Sequence, residues 1–173
     1  MKEMKSTWLR QFRLRYLLAK ITQAVDLQAY GPSESRDRLA DYTAGGNDIE
    51  HIMAAGADAA AIAEFGEHAQ DDSVIQSLGN LLLIEKSINR SISNTQYSEK
   101  IKSYAQSKFL LTRCQADTAA QLVGVADQIT KTVQALDCWP KWTAADVEAR
   151  QLFLSRLACR VWDVPVVEEV VPA

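Results

Sequence analysis

The sequence predicts a mainly helical α+β domain with one short β-hairpin at its centre and helices on either side. Apolar residues recur at helical spacing near both ends of the chain, in residues 9–27 and 147–161. Two short segments in the middle have the length of strands, namely residues 48–52, which carry a Glu-His pair, and the continuous apolar run 81–84. With 173 residues, of which 47% are hydrophobic, the chain is large enough to bury one core without disulfides or metals.

Individual elements follow from periodicity and from residues that cap or break helices. Thr7 is a predicted N-cap, and Gly31-Pro32-Ser33 ends the first helix. The run Leu81–Ile84 fits either a buried strand or part of a helix. Thr143 and Asp146 form a start that resembles a capping box, with Asp in place of Glu. In chain order we predict a helix over 7–27, a short helix over 35–42, a strand over 48–52, a helix over 57–65, a helical turn over 73–78, the run 81–84, helices over 87–91, 97–108 and 117–136, and a last helix over 143–162.

The length predicts a single domain with four parts. No apolar run reaches the roughly 20 residues of a membrane-spanning helix, and basic residues interrupt the only stretch that resembles a leader. We therefore expect a cytoplasmic protein. The predicted parts are an N-terminal helical segment packing on the core (1–46), the core itself (47–113), C-terminal helices of the same domain (114–163) and a tail (164–173).

Charge is unevenly distributed along the chain. The net charge is −3, yet residues 1–20 and residues 85–113 each contain six Lys or Arg, and the segment between them is acidic. Two basic segments can present a face that binds phosphates. On charge alone, solvated helix faces without a partner are the more frequent explanation. The three cysteines form no Cys-x-x-Cys pair, so we expect neither a disulfide framework nor a structural zinc.

One histidine and two asparagines suggest hydrolysis of a phosphodiester. His51 follows Glu50 on the predicted strand, and Asn89 stands nine positions after Asn80. Histidine accepts a proton near neutral pH, so His51 is the candidate base that activates water. Asn80 is suited to hold the His51 loop by backbone hydrogen bonds. Oxygens of Asn89 and Glu50 suit Mg²⁺ or Mn²⁺, although a metal-bound water is an alternative to Glu50 as the second ligand.

Other residues leave alternatives open. Lys100 or Arg90 would add positive charge at the transition state. A single histidine is more often a structural side chain, and His68, in a polar loop, is the alternative base. Asn80 also suits a plain turn, and Asn89 a helix surface.

The H-N-H (His-Me finger, ββα-metal) nucleases have this layout, with a histidine, then an asparagine, then a further asparagine nine residues on. Residues 47–113 resemble the C-terminal H-N-H domain of the GmrSD-type restriction endonucleases, which are type IV, modification-dependent defence nucleases. The flanking stretches Leu14–Ala19 and Trp142–Trp162 are also similar to that family. The residues that carry the resemblance are Ile49-Glu50-His51-Ile52, Leu78-Gly79-Asn80-Leu81-Leu82-Leu83, Asn89, Ser93-Asn94 and Tyr97-Ser98-Glu99-Lys100.

The resemblance implies a ββα-metal core wrapped by the terminal helices. It implies His51 as general base, Asn80 as positioning residue and Asn89 as metal ligand, with Asn94 and Lys100 in the active-site region. We count Lys100 among the catalytic residues. The expected contacts to substrate are Lys86, Arg90, Asn94 and Lys102.

Two departures from the family's pattern matter. After the histidine the chain has Met53-Ala54-Ala55, where the family usually continues with an apolar residue and a proline. Nothing in the sequence resembles a phosphate-cradling Gly-rich loop, although family members normally carry a nucleotide-hydrolysing domain. We therefore expect such a domain in trans or in a part of the protein outside this chain.

The resulting hypothesis is a metal-dependent endonuclease that hydrolyses duplex DNA, as the nuclease part of a restriction or anti-phage defence system. One alternative is a catalytically silent DNA-binding or partner-docking subunit, against which the presence of Glu50, His51, Asn80 and Asn89 argues. A nonspecific nuclease toxin is a third possibility, disfavoured by the acidic net charge.

Overall fold

A two-stranded antiparallel hairpin lies at the centre of the fold, surrounded by helices. The computed structural model describes residues 11–116 and 127–164. Two 3₁₀ turns, Leu78–Asn80 and Cys114–Ala116, accompany the regular elements. In chain order these are α1 Gln11–Tyr30, α2 Glu34–Asp37, α3 Leu39–Thr43, β1 Asn47–His51, α4 Ala59–Phe65, α5 Asp72–Ile75, β2 Leu81–Glu85, α6 Lys86–Ile92, α7 Tyr97–Tyr104, α8 Leu110–Arg113, α9 Asp127–Gln134 and α10 Ala144–Val161.

The pairing of the two strands shows whether the apolar run Leu81–Ile84 is a strand or part of a helix. β1 and β2 pair in a register that runs from Asn47 opposite Glu85 to His51 opposite Leu81. Residues Leu81–Ile84 are all buried, so both faces of β2 are covered, which explains a continuous apolar run in place of an alternating one. The run is therefore a strand, as a hairpin requires.

The helices that wrap the hairpin come from both ends of the chain. α6 begins at the residue after β2 and contacts both strands, which gives the order strand, strand, helix. α1 packs against β2 and against α3, α8, α9 and α10, with Leu14, Leu18, Ile21 and Val25 on its buried side. The predicted mainly helical α+β fold, with a ββα core and terminal helices around it, is confirmed.

The start of α10 follows its sequence signal. The Thr143 hydroxyl accepts from the Asp146 backbone N–H, and the Asp146 carboxylate accepts from the Thr143 backbone N–H, so the predicted capping box is present. α10 lies so close to the turn before β2 that a Cβ on Gly79 would come within 2.0 Å of the Val147 carbonyl oxygen. Only glycine fits there without moving α10.

Some predicted boundaries were wrong. α7 ends at Tyr104 and not at 108, because the Ser107 hydroxyl and the Lys108 N–H donate to the Glu85 carboxylate at 2.7 and 2.6 Å. The predicted helix over 35–42 is two helices separated at Arg38, whose backbone is extended. The helix α8 was not predicted. Thr7, residues 117–126 and residues 165–173 lie outside the described residues.

Among the helices that the structure describes, none has the length and apolar character needed to span a bilayer. The division into four parts stays a prediction.

Candidate active site

His51 ends β1, at the end of the hairpin where the loop to α4 begins. Its ring nitrogen Nε2 is buried and has no hydrogen-bond partner among the residues described. Buried polar side-chain atoms are usually paired with protein or water. An imidazole nitrogen left without a protein partner is free to accept a proton or to bind a ligand.

Asn80 fixes the backbone that follows His51. It is completely buried, and its Oδ1 accepts from the Met53 N–H at 2.8 Å and from the Trp142 indole N–H at 3.1 Å. Its Nδ2 donates to the Met53 and Ile75 carbonyls at 2.8 and 2.9 Å. The backbone carbonyl of Asn80 also accepts from the Ile52 N–H at 2.9 Å. Every bonding position of the amide is thus used. Two of the bonds hold Met53, just past His51, and the other two bind Ile75 and Trp142.

Arg150 of α10 holds the backbone around Asn80 in turn. Its Nη1 donates to the carbonyls of Gly79 and Leu81, both at 2.7 Å, and its side chain is fully buried. Burial lowers the pKa of Arg150 to about 10, so the guanidinium stays charged at neutral pH. Sequence reasoning placed Arg150 in the last helix but gave it no role. Its position in the inward stripe, three residues after Val147, was the available signal.

Lys100 and Glu50 form a buried ion pair behind the strand. Lys100 Nζ lies 2.7 Å from Glu50 Oε1 and also donates to the His51 carbonyl at 3.0 Å. The side chain of Lys100 is 1% exposed. Tyr104 donates to the same Glu50 oxygen at 3.3 Å, and burial raises the pKa of this phenol well above its usual range, so the donor stays protonated. The structure therefore brings Glu50, Lys100 and the backbone of His51 together.

The strand geometry separates the two side chains of the Glu-His pair. Successive residues of a strand point to opposite faces, so Glu50 and His51 face different sides of the hairpin. Glu50 Oε2 accepts no hydrogen bond within the described part of the chain. This oxygen is the part of Glu50 that is left for a cation.

The other predicted residues occupy α6 and the turn after it. Asn89 is half-buried on α6, and its amide makes no hydrogen bond to any residue that the structure describes. Lys86 and Arg90 flank it on the same helix and form no ion pair there. The Asn94 carbonyl accepts from the Asp58 N–H at 3.2 Å. Lys102 is exposed and paired with Glu99 at 2.8 Å. No hydrogen bond among the described residues joins α6 to the His51 side chain.

The remaining histidine lies elsewhere. His68 is exposed, has a positive φ of 66°, and its Nδ1 is 3.8 Å from Asp71 Oδ2. It lines an open cavity of about 960 Å³ beside the start of α10, together with Glu148.

The two oxygens predicted as metal ligands suit a hydrated divalent cation better than a fully protein-ligated one. Within 11–116 and 127–164, no group of three His, Cys, Asp or Glu side chains is placed to hold a metal ion. Mg²⁺ retains most of its waters and needs one or two protein oxygens. The unbonded amide of Asn89 and Oε2 of Glu50 are oxygens of that kind.

Comparison with known proteins gives one family. A search of the curated proteins found no match, and neither did a search of the solved structures. The sequence model described as GmrSD restriction endonucleases, C-terminal domain, matches residues 2–157, which include the hairpin, α6, α7 and most of α10. The chain therefore belongs to the family of GmrSD restriction endonuclease C-terminal domains, a nuclease family whose substrate is DNA.

Proposed function

We propose that this chain is an H-N-H endonuclease that uses a divalent metal ion to hydrolyse phosphodiester bonds of duplex DNA, in the restriction of foreign DNA. The observation that carries the proposal is the buried Nε2 of His51, which no described protein group satisfies. In a chain that belongs to a nuclease family, a basic nitrogen held at the end of a strand suits the activation of water.

His51 acts as the general base in this proposal. Its Nε2 accepts a proton from the water that attacks phosphorus, and the nitrogen must be held in line for that transfer. The backbone that follows the His51 side chain is held at two points, by Lys100 at the His51 carbonyl and by Asn80 at Met53. Asn80 and Lys100 are therefore positioning residues, and Lys100 also contributes positive charge near the site.

Asn89 is the first proposed metal ligand. The second is Glu50 or, because Glu50 and His51 face opposite sides of the hairpin, a metal-bound water. A Mg²⁺ or Mn²⁺ ion at these oxygens would neutralise phosphate charge and stabilise the leaving oxygen. Lys100 orients Glu50 by binding Oε1, which leaves Oε2 for the cation. Asn89 brings a neutral amide oxygen without a competing protein partner among the described residues.

DNA binding is assigned to the basic side chains near α6. Lys86 and Arg90 carry unpaired charge there, and Asn94 and Lys102 lie on the turn and helix that follow. Contacts of this kind to phosphates position a duplex and do not read its sequence. Recognition of a modification would come from a partner domain, with nucleotide hydrolysis, in trans or outside this chain.

Nicking of supercoiled plasmid by the purified chain tests the proposal. We expect cleavage with Mg²⁺ or Mn²⁺ that EDTA abolishes. In the His51→Ala variant the rate should fall by about 10²–10⁴, the usual contribution of a general base. His68→Ala is the matched control and should cleave at the rate of the unchanged chain.

Two outcomes would contradict the proposal. Full cleavage by a folded His51→Ala chain would exclude His51 as the base. A folded chain that binds plasmid but never nicks it with either metal would instead support the silent DNA-binding subunit.

A further inference from the structure

A second cavity lies at the opposite end of the hairpin from His51. It has a volume of about 410 Å³ and is lined in part by Tyr42 and Lys108. The Tyr42 carbonyl accepts from Asn47 Nδ2 at 3.1 Å, and the Lys108 N–H donates to Glu85 at 2.6 Å. Asn47 and Glu85 are paired four residues from the His51 end of β1. At roughly 3.3 Å per residue, the two ends are about 13 Å apart along the strand.

Three cationic side chains border this cavity. They are Arg36, Lys108 and Arg113, and the guanidinium carbons of the two arginines lie 5.4 and 6.0 Å from the centre of the Tyr30 ring. Arg36 donates Nε to the Gly31 carbonyl at 2.8 Å, while its Nη1 makes no hydrogen bond within the described residues. Neither Arg36 nor Lys108 is ion-paired with a carboxylate that the structure describes.

The two carboxylates that border the cavity are held by other groups. Asp26 is 4% exposed and accepts from the Tyr42 hydroxyl and from the Leu110 N–H, both at 3.0 Å. Asp41 lies 3.5 Å from the Arg38 guanidinium. The donors to Asp26 are neutral, so its charge also counts, and the lining still holds three cations against two carboxylates. An anion in the cavity would relieve the repulsion between these like charges.

Aromatic rings complete the lining. Tyr30, Tyr42 and Phe109 border the same cavity, and the rings of Tyr42 and Phe109, 5.4 Å apart, are only 4% and 2% exposed. Tyr30 is the partly exposed ring of the three, and its hydroxyl accepts from Arg113 Nη2. A cavity of this volume is within the range of small-molecule sites. Guanidinium groups suit phosphate oxygens, and aromatic rings suit the face of a base.

We propose that this cavity binds the phosphate of a nucleoside phosphate, with Arg36, Lys108 and Arg113 around the phosphate and the partly exposed Tyr30 ring beside the base. The ligand is either a free nucleotide or the phosphorylated end of a nucleic-acid strand, since the two share this chemistry. The site lies apart from His51 and does not depend on cleavage, so it goes beyond the proposed nuclease function.

Calorimetric titration of the full chain with deoxynucleoside 5′-monophosphates at low ionic strength tests the site, with inorganic phosphate and an unphosphorylated nucleoside as comparison probes. We expect the nucleotide to bind at least several-fold more tightly than either probe, because only the nucleotide engages both cations and rings. Lys108→Gln should weaken nucleotide binding about three- to tenfold through loss of one charge. Lys141→Gln, a matched exposed lysine away from the cavity lining, should leave it unchanged.

Lys108 suits this test because its exposed side chain lies over the Phe109 ring and makes no hydrogen bond or ion pair with any residue that the structure describes, so the variant should fold as the unchanged chain does. Its thermal unfolding midpoint checks this. Absence of nucleotide binding, or binding that Lys108→Gln and Lys141→Gln weaken equally, would overturn the proposal.

Competition separates the two sources of the ligand. If an oligonucleotide with a 5′-phosphate displaces the nucleotide and the same strand without it does not, the site holds a strand end. If neither strand displaces a bound nucleotide, the site takes free nucleotides. Either result supports a phosphate site, whereas equal displacement by both strands would overturn it.

Discussion

The two ends of the β-hairpin use buried asparagines in the same way but differ in what they leave unbonded. At one end Asn47 donates to the carbonyls of Asp41 and Tyr42, and Glu85 accepts from Ser107 and Lys108. At the other end Asn80 is fully bonded, yet Nε2 of the adjacent His51 has no described partner.

The difference distinguishes the end that closes the hairpin from the end that holds the candidate active site. The side chains of Asn47 and Glu85 are bonded to protein, as expected of groups that stabilise the hairpin. At the His51 end the hydrogen bonds hold the backbone next to the imidazole, while Nε2 of the ring has no partner among the described residues. A matched change at each end should therefore affect stability at both ends and cleavage at only one.

The largest expected effect comes from Asn80→Ala. It leaves the Met53 N–H, the Trp142 N–H and two carbonyls without their partner, and we expect a loss of about 3–4 kcal/mol of unfolding free energy. Cleavage, measured below the unfolding transition, should fall as well because the strand end is released. Urea unfolding and plasmid nicking measure the two effects.

Asn47→Ala is the matched control for that change. It removes two hydrogen bonds from a side chain that is almost as buried, and we expect about 2 kcal/mol of destabilisation. The cleavage rate of the folded chain should stay within about twofold of the unchanged chain, because nothing near His51 moves. An equal loss of cleavage in both variants would contradict the distinction between the two ends.

The buried Lys100–Glu50 ion pair, next to the His51 backbone, can be compared with an exposed ion pair on the same helix. Lys100→Met leaves Glu50 buried without its cation, and removal of one partner from a buried pair costs about 3 kcal/mol. Lys102→Met, on the same helix, breaks an exposed pair with Glu99 and should cost less than about 1 kcal/mol. Urea unfolding of both variants gives the comparison. Similar values would mean that the Lys100 pair contributes no more than a surface pair.

Asp26 gives a pH-dependent test at the Asn47 end. Burial raises the pKa of its carboxyl from 3.8 to about 6. The folded chain therefore binds this proton more readily than the unfolded chain between pH 6 and pH 4, and the contribution of Asp26 to stability rises as pH falls through that window. From pH 7.5 to pH 4.5, the unfolding free energy of the unchanged chain should therefore rise by about 2 kcal/mol relative to that of Asp26→Asn. A pH-independent difference would mean that Asp26 titrates as it does in water.

The sequence predicted features that are encoded locally. The Thr143 capping box, the breaker at Gly31 and the β1 strand were expected from neighbouring residues, and the structure has all three. The expected backbone hydrogen bonds from Asn80 are also present, while its part in cleavage stays a prediction.

Features set by contacts between distant residues were missed or left open. Arg150 binds carbonyls 69 and 71 residues away, and α7 ends where Glu85 captures the Ser107 hydroxyl. Neither partner is near in sequence, so periodicity gives no sign of them. The burial of Lys100 was hidden for the same reason, since a lysine on a helix of mixed polarity is usually exposed.

The smallest expected effect concerns the affinity of α6 for DNA. Arg90 is exposed on α6 and unpaired among the described residues, so Arg90→Gln should remove about one phosphate contact. We expect a several-fold weaker affinity for supercoiled plasmid at low salt, and a slope of log affinity against log salt that is shallower by about 1. Lys141→Gln, which removes an exposed charge from the loop before α10, should change neither quantity. Equal weakening in the two variants would show that binding responds only to the net charge of the chain, and α6 would then not be a specific contact surface for DNA.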